Sequence, residues 1–239
     1  MIKPAQHQRF SATANRLAAL VGLGADDRAR IARAEQDGLA IRAHRDIVRE
    51  GQAIGNPTIM VEGWAFRSQL VPSGQRQILG FILPGEMMGI CTRRNPVAVS
   101  TITTLTSVVV CPAPQPLADD AHSGLAQAYS IGAALEEAYL CRQITRLGRM
   151  NAYERVVDWL LELNDRLALA GIADANGFAF PLTQELIADA LGLTTVHVNR
   201  MIRALRESGM VTIGARTVKI HDRRQMERLV CYTPVKVVA

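Results

Sequence analysis

The stretch from Leu182 to Val211, LTQELIADALGLTTVHVNRMIRALRESGMV, constrains this chain more than any other. Two amphipathic helical patterns meet there at a glycine. The first can start at Thr183, whose hydroxyl is placed to accept from backbone N–H groups two and three residues on. Leu186, Ile187, Ala190 and Leu191 then recur at helical spacing and make one apolar face. Gly192 supplies the break, because a tight turn between helices often needs a positive φ. Thr194 can cap a second helix that buries Val198, Ile202 and Leu205. The opposite face of that helix carries Thr195, Val196, Asn199, Arg200, Arg203 and Arg206. This is the layout of a helix-turn-helix whose second helix can reach base edges in a major groove.

Two short amphipathic helices around a glycine also occur in ordinary all-α packing, so the flanks matter. Met210–Ile213 and Thr217–Ile220 are alternating runs joined by Gly214-Ala215-Arg216, which reads as a β-hairpin in the position of a wing. Residues 181–239 hold nine Lys and Arg against five Asp and Glu, so +4 of the chain's net +5 falls there. That is where phosphates would be met.

Composition narrows the alternatives. A chain of 239 residues suggests one or two domains, and 49% hydrophobic residues are ample for a core. An aromatic content of 5% argues against base-stacking platforms for single strands. No apolar run reaches membrane-spanning length, and the N-terminus lacks a continuous apolar stretch after its charges. A cytoplasmic protein without a membrane partner is expected. Cys91, Cys111, Cys141 and Cys231 are widely spaced, and the five histidines form no ligand spacing, so neither a metal nor an iron–sulfur cluster is expected. There is no nucleophile elbow, phosphate loop or HExxH, so no catalytic residues are assigned and an enzyme is not expected.

Upstream, Ala12–Gly22 and Ala25–Gln36 read as short helices. Between Leu39 and Cys111, short β-type runs alternate with Gly, Pro and Asn: Ile47-Val48, Thr58–Glu62, Trp64–Val71, Arg76–Leu83, Ala98–Thr103 and Val108–Cys111. Strands this short and this close suggest a small antiparallel barrel or roll. A long helix is expected from Ala118 to Met150. Leu125, Ala128, Gly132, Leu135 and Tyr139 recur on it in steps of three and four, which marks a dimerisation seam. Ile131, Ala134, Ala138 and Cys141 make a second stripe, and one of the two can pack on the chain's own roll. Asn151 can cap a further helix with Ala152, Val156, Trp159, Leu160, Leu163 and Leu167 on its apolar side. Ala168–Phe180 reads as a linker. The expected fold class is α+β: an N-terminal antiparallel β-roll of the cupin-like jelly-roll kind, a long dimerisation helix and a C-terminal winged helix-turn-helix. The expected divisions are 1–117, 118–150 and 151–239.

This arrangement resembles the Crp/Fnr superfamily of bacterial transcription regulators over almost the whole chain. The residues that carry the likeness are Val61-Glu62-Gly63-Trp64, Gly74–Ile78, Pro84-Gly85-Glu86, Leu147–Arg155 and Leu182–Val211. The resemblance implies a homodimer that is controlled by a signal at its roll or is constitutively active, binds a roughly palindromic double-stranded operator and alters recruitment of RNA polymerase. Members that bind cyclic AMP carry an arginine with Ser or Thr on the roll. Here that position falls near Ala98-Val99, an apolar pair that cannot hold a phosphate, although Arg93 and Arg94 lie nearby. Glu86 keeps the place of the ribose-binding glutamate and is the one candidate for a ligand contact. No cysteine precedes Cys91, unlike the cysteine cluster of the oxygen sensors. Haem-binding members need an axial ligand, and no residue here is assigned that role.

On the reading helix, Val196 stands where the family's glutamate sits, Thr195 replaces an upstream arginine and Arg200 is retained. The resemblance therefore implies Arg200 on guanine, while by their own chemistry Asn199 suits adenine and the methyls of Thr195 and Val196 suit thymine. Thr183, Gln184, Thr194, His197, Arg203 and Arg216 are candidates for the DNA backbone. A second reading stays open: a ligand-binding sensor or interaction protein whose helix-turn-helix is only a packing module.

Overall fold

The computed structural model describes residues 11–90, 94–116, 123–174, 176–214 and 216–237. Two helices come first, α1 (Ala12–Leu20) and α2 (Ala25–Gln36), and α1 is capped by the Ser11 hydroxyl. Eight strands follow: β1 (Leu39–Ile41), β2 (Asp46–Val48), β3 (Thr58–Glu62), β4 (Ala65–Leu70), β5 (Arg76–Ile82), β6 (Met87–Met88), β7 (Thr101–Thr104) and β8 (Val108–Pro112). They form two antiparallel sheets, ordered β1-β8-β3-β6 and β2-β7-β4-β5. Met60, Ala65, Ile82, Met88, Ile102, Val108 and Val110 fill the space between the sheets. The fold is α+β, with the roll placed where the alternating runs predict it.

Two long helices follow the roll. The first, α3 (Gly124–Arg149), starts at a Ser123 cap, and residues 118–122 of the expected helix lie outside those described. The second, α4 (Ala152–Leu169), starts at Asn151, whose side-chain oxygen accepts from Tyr153 and Glu154 while Glu154 accepts from Asn151 N–H. Such reciprocal caps satisfy the first-turn N–H groups and fix where a helix begins. Met150 leaves the helical path with ψ 145°, so the joint between α3 and α4 is two residues long.

The expected dimerisation stripe faces the other way. Leu125, Ala128 and Leu135 are buried within the chain, and the Arg166 guanidinium lies over the Tyr139 ring at 4.6 Å. Gly132 is half-buried on the same side. Both stripes of α3 are apolar, and the bulkier one packs on α1, β5 and α4 of its own chain. The stripe left to solvent holds Ala134 and Cys141, with Ile131 and Ala138 half-buried and Ile144 71% exposed.

The C-terminal part is a winged helix with more regular structure than its sequence suggests. A strand, β9 (Gly177–Ala179), lies inside the expected linker. After α5 (Gln184–Leu191) and α6 (Thr195–Glu207), the hairpin β10 (Val211–Gly214) and β11 (Thr217–Ile220) pairs with β9 to make a three-stranded sheet. A last helix, α7 (Arg223–Val230), packs on α4 through Met226, and Arg223 bonds Asp165 and Asn164.

One apolar cluster runs without a break from the roll to the winged helix. Its spine is a ladder of rings: Trp64 to Phe81 at 6.0 Å, Phe81 to Trp159 at 5.6 Å, Trp159 to Phe180 at 5.9 Å and Phe180 to Phe178 at 6.0 Å. These separations suit edge-on and tilted ring contacts, which add to the burial of large apolar surfaces. The chain has few aromatic residues, and five of them are spent on this junction.

A buried ionic run crosses the same junction. Glu86 is held by Arg166 at 3.0 and 2.7 Å, by Arg16 at 3.1 Å and by the Leu83 N–H at 3.0 Å. Arg166 also bonds Glu162, Glu162 meets Arg146, and Arg146 and Arg142 share Asp158. Burial would raise the Glu86 carboxyl, but the guanidiniums of Arg166 and Arg16 outweigh it and hold the group below its ordinary value. The turn that presents Glu86 demands a glycine at Gly85: its φ is +83°, and a Cβ there would meet Arg16 Cβ at 2.8 Å.

Candidate nucleic-acid interface

The helix-turn-helix is assembled by the caps the sequence predicts. Thr183 Oγ1 accepts from Leu186 N–H at 3.3 Å, and Thr194 Oγ1 accepts from His197 N–H at 3.2 Å. Gly192 sits at φ 61° and ψ 43°, a left-handed conformation that ends α5. Leu193 N–H then reaches back to Ala188 O at 3.1 Å. Leu186, Ile187, Ala190 and Leu191 are buried, as are Val198 and Leu205, while Ile202 is half-buried. These contacts fix α6 against α5 and leave its other face bare.

That bare face carries the expected residues. Thr195, Val196, His197, Asn199, Arg200 and Arg203 are all exposed, with Val196 at 73%. An apolar side chain so exposed, one position into a capped helix, suits contact with a methyl group. Among the described residues, Arg200 has no ion-pair partner, so its fork is unspent. Arg203 differs: its Nε donates to Glu207 Oε1 at 2.8 Å on an open surface. Arg206 is turned to the wing, donating from Nη2 to Ile213 O at 3.2 Å, and so braces the hairpin against α6.

Gln184, Asn199, Arg203 and Arg216 line one open groove between α5, α6 and the wing, about 460 Å³ in volume. Arg216 occupies a left-handed turn position at φ 60°, and Phe180 N–H donates to its carbonyl at 2.7 Å. Thr194 and His197 lie on the other side, beside Val71, Gln75 and Arg76 of the β4–β5 hairpin. Thr183 is exposed at the start of α5. The sequence offered no sign that this hairpin of the roll would reach the start of the reading helix.

The roll does not fit a cyclic nucleotide at the family's positions. Both oxygens of Glu86 are engaged by arginines of its own chain. Ala98 is buried and Val99 is exposed, and neither can neutralise a phosphate. Cys91 and Arg93 lie outside the described residues. Cys141 and Cys231 are exposed free thiols, whereas burial, with the nearby Glu35 charge, pushes the Cys111 thiol up to about 11. Among the described residues, no three His, Cys, Asp or Glu side chains come together as a metal site, and no helix is long and apolar enough to cross a membrane.

Residues 154–229 match the Crp-like helix-turn-helix domain. The chain is 30% identical over 172 residues to the nitrogen fixation regulation protein FixK of Bradyrhizobium diazoefficiens, covering 71% of this chain and 72% of that protein. It is 28% identical over 191 residues to the transcriptional activator protein FnrL of Cereibacter sphaeroides, covering 76% and 75%. The solved structure of FixK2 from Bradyrhizobium japonicum superposes with a TM-score of 0.69 at 25% identity, covering 84% of this chain and 98% of that one. With capped reading helix, wing, roll and relatives in agreement, the chain belongs to the Crp/Fnr family of DNA-binding transcription regulators.

Proposed function

We propose that the chain acts as a homodimer on a roughly palindromic duplex, laying one α6 in each of two successive major grooves. The observation that carries this is the bare face of α6, where Thr195, Val196, Asn199 and Arg200 stand exposed behind a Thr194 cap. Arg200 would take guanine O6 and N7, Asn199 adenine, and the methyls of Thr195 and Val196 thymine. Thr183, Gln184, Thr194, His197, Arg203 and Arg216 would meet phosphates or sugars and set the register. With valine in place of the family's glutamate, the site lacks an acceptor for cytosine N4–H, so its operator differs from that of the glutamate-bearing members.

The partner copy would meet the open stripe of α3 at Ala134, Ala138 and Cys141, since the bulkier stripe is occupied. Residues 1–117 would serve as the sensor unit, 118–150 as the dimer helix and 151–239 as the reading head. The FnrL relative is named a transcriptional activator; for this chain, altered recruitment of RNA polymerase, in either direction, is inferred. Control would come from a signal at the roll other than cyclic AMP, or the chain would be constitutively active. Selection of bound sequences from a random duplex pool tests the reading. Two similar half-sites about one helical turn apart are expected. Failure to shift any duplex at low salt would leave a sensor whose helix-turn-helix only packs.

A further inference from the structure

The last carbonyls of α5 have no partner within their own helix, as at any helix C-terminus. Here side chains from three separate parts of the chain donate to them. Gln77 of β5 donates from Nε2 to Asp189 O at 2.8 Å and to Ala190 O at 3.4 Å. Gln143 of α3 donates to Ala190 O at 2.6 Å. Arg155 of α4 donates to Leu191 O at 3.0 Å, and its other nitrogens hold Leu147 O and Met150 O at the end of α3 at 2.8 and 2.9 Å. Arg76 adds an ion pair to the Asp189 carboxylate at 2.7 Å. Gly192 and the Thr194 cap follow at once, so these donors grip the turn on which α6 hangs.

The grip has a fixed sense. Gln143 Oε1 accepts from Arg146, which leaves its Nε2 facing Ala190. Arg146 is held by Glu162, Glu162 by Arg166, and Arg166 by Glu86. A continuous run of hydrogen bonds therefore joins the Glu86 turn of the roll to the last turn of α5. Ala190 and Leu191 are buried, so the last carbonyls of α5 need donors from the protein rather than from water. Those donors come from the roll, α3 and α4 together, so capping α5 also ties it to three separate parts of the chain.

We propose that Gln77, Gln143 and Arg155 are positioning residues for DNA reading: a clasp that fixes the angle of α6 to α3 and so sets the spacing between the two half-sites. This rests on the dimeric reading above. The test uses the full chain, a duplex it selects from a random pool, and the same duplex with one base pair added or removed between half-sites. Gln143→Glu keeps an acceptor for Arg146 but loses the donor to Ala190. Gln77→Ala removes the roll's donor without touching the ionic run.

Each variant should lose about three- to ten-fold on the selected duplex, the worth of one hydrogen bond, and discriminate less against the altered spacings. Unchanged binding, or an equal loss on all duplexes, would overturn the clasp. Hydrogen exchange on the free protein reads the clasp without DNA, and faster exchange at residues 192–196 is expected in both variants. If the wild type selects no duplex, faster exchange still supports the clasp while the regulator reading falls. Unchanged exchange overturns it in either case.

Discussion

Arg166 grasps both carboxylate oxygens of Glu86, binding a residue of α4 to a turn of the roll 80 positions earlier. Breaking a buried pair by removing one partner leaves the other charge without compensation, at a cost of about 3–5 kcal/mol. Glu86→Gln should lower stability by that order, read by denaturant unfolding. The folded carboxyl lies below its ordinary value of 4.5, so its contribution is complete above that value and is lost as pH falls through the lowered folded one. The wild type should therefore lose stability more steeply in acid than Glu86→Gln. Equal acid slopes would show that the carboxylate contributes nothing through its charge.

Trp159 is the central rung of the aromatic ladder. Trp159→Ala should cost about 3–5 kcal/mol, the usual range for a buried aromatic. Because the rung joins roll and head, calorimetry should show a single transition in the wild type and two in the variant. One sharp transition in both would place the coupling elsewhere, in the ionic run.

The two stripes of α3 separate by mutation. Ala134→Lys puts a charge on the open stripe and should yield a folded monomer by sedimentation. Leu135→Lys puts a charge into the chain's own interior, where an unpaired charge is costly, and should instead lower the melting temperature. A full dimer from Ala134→Lys would show that the partner binds a different surface.

Arg200 and Arg203 should differ in kind. Arg200→Ala should cost about 1–3 kcal/mol on the selected duplex and relax one base position. Arg203→Ala should weaken binding to every sequence and lower the salt slope by about one. Glu207→Ala releases Arg203 from an exposed pair that contributes little to stability, so it should strengthen binding to all duplexes alike. A sequence-selective effect of Arg203→Ala would reverse the two assignments.

What the sequence made legible was local. The caps at Thr183, Thr194 and Asn151, the turn at Gly192 and the strand Thr58–Glu62 depend on neighbours a few residues away, and each stands where the pattern puts it. What it hid was set at a distance. The three residues of β9 form a strand only because β11 lies beside them. In α7 a polar sequence is tied down by Met226 and Arg223. The inward stripe of α3 was chosen by the roll, since both stripes have helical period and apolar character. Glu86 looked available because its partners, Arg16 and Arg166, flank it from far along the chain.

The shared aromatic core also limits how such a chain can be rearranged. A fragment starting at Asn151 would bring Trp159 and Phe180 to water without Phe81 and Trp64 to cover them. The reading head is therefore not a cassette. Grafting it onto the roll of a relative would need the matching rings grafted with it, and a chimera without them should be sticky before it is inactive.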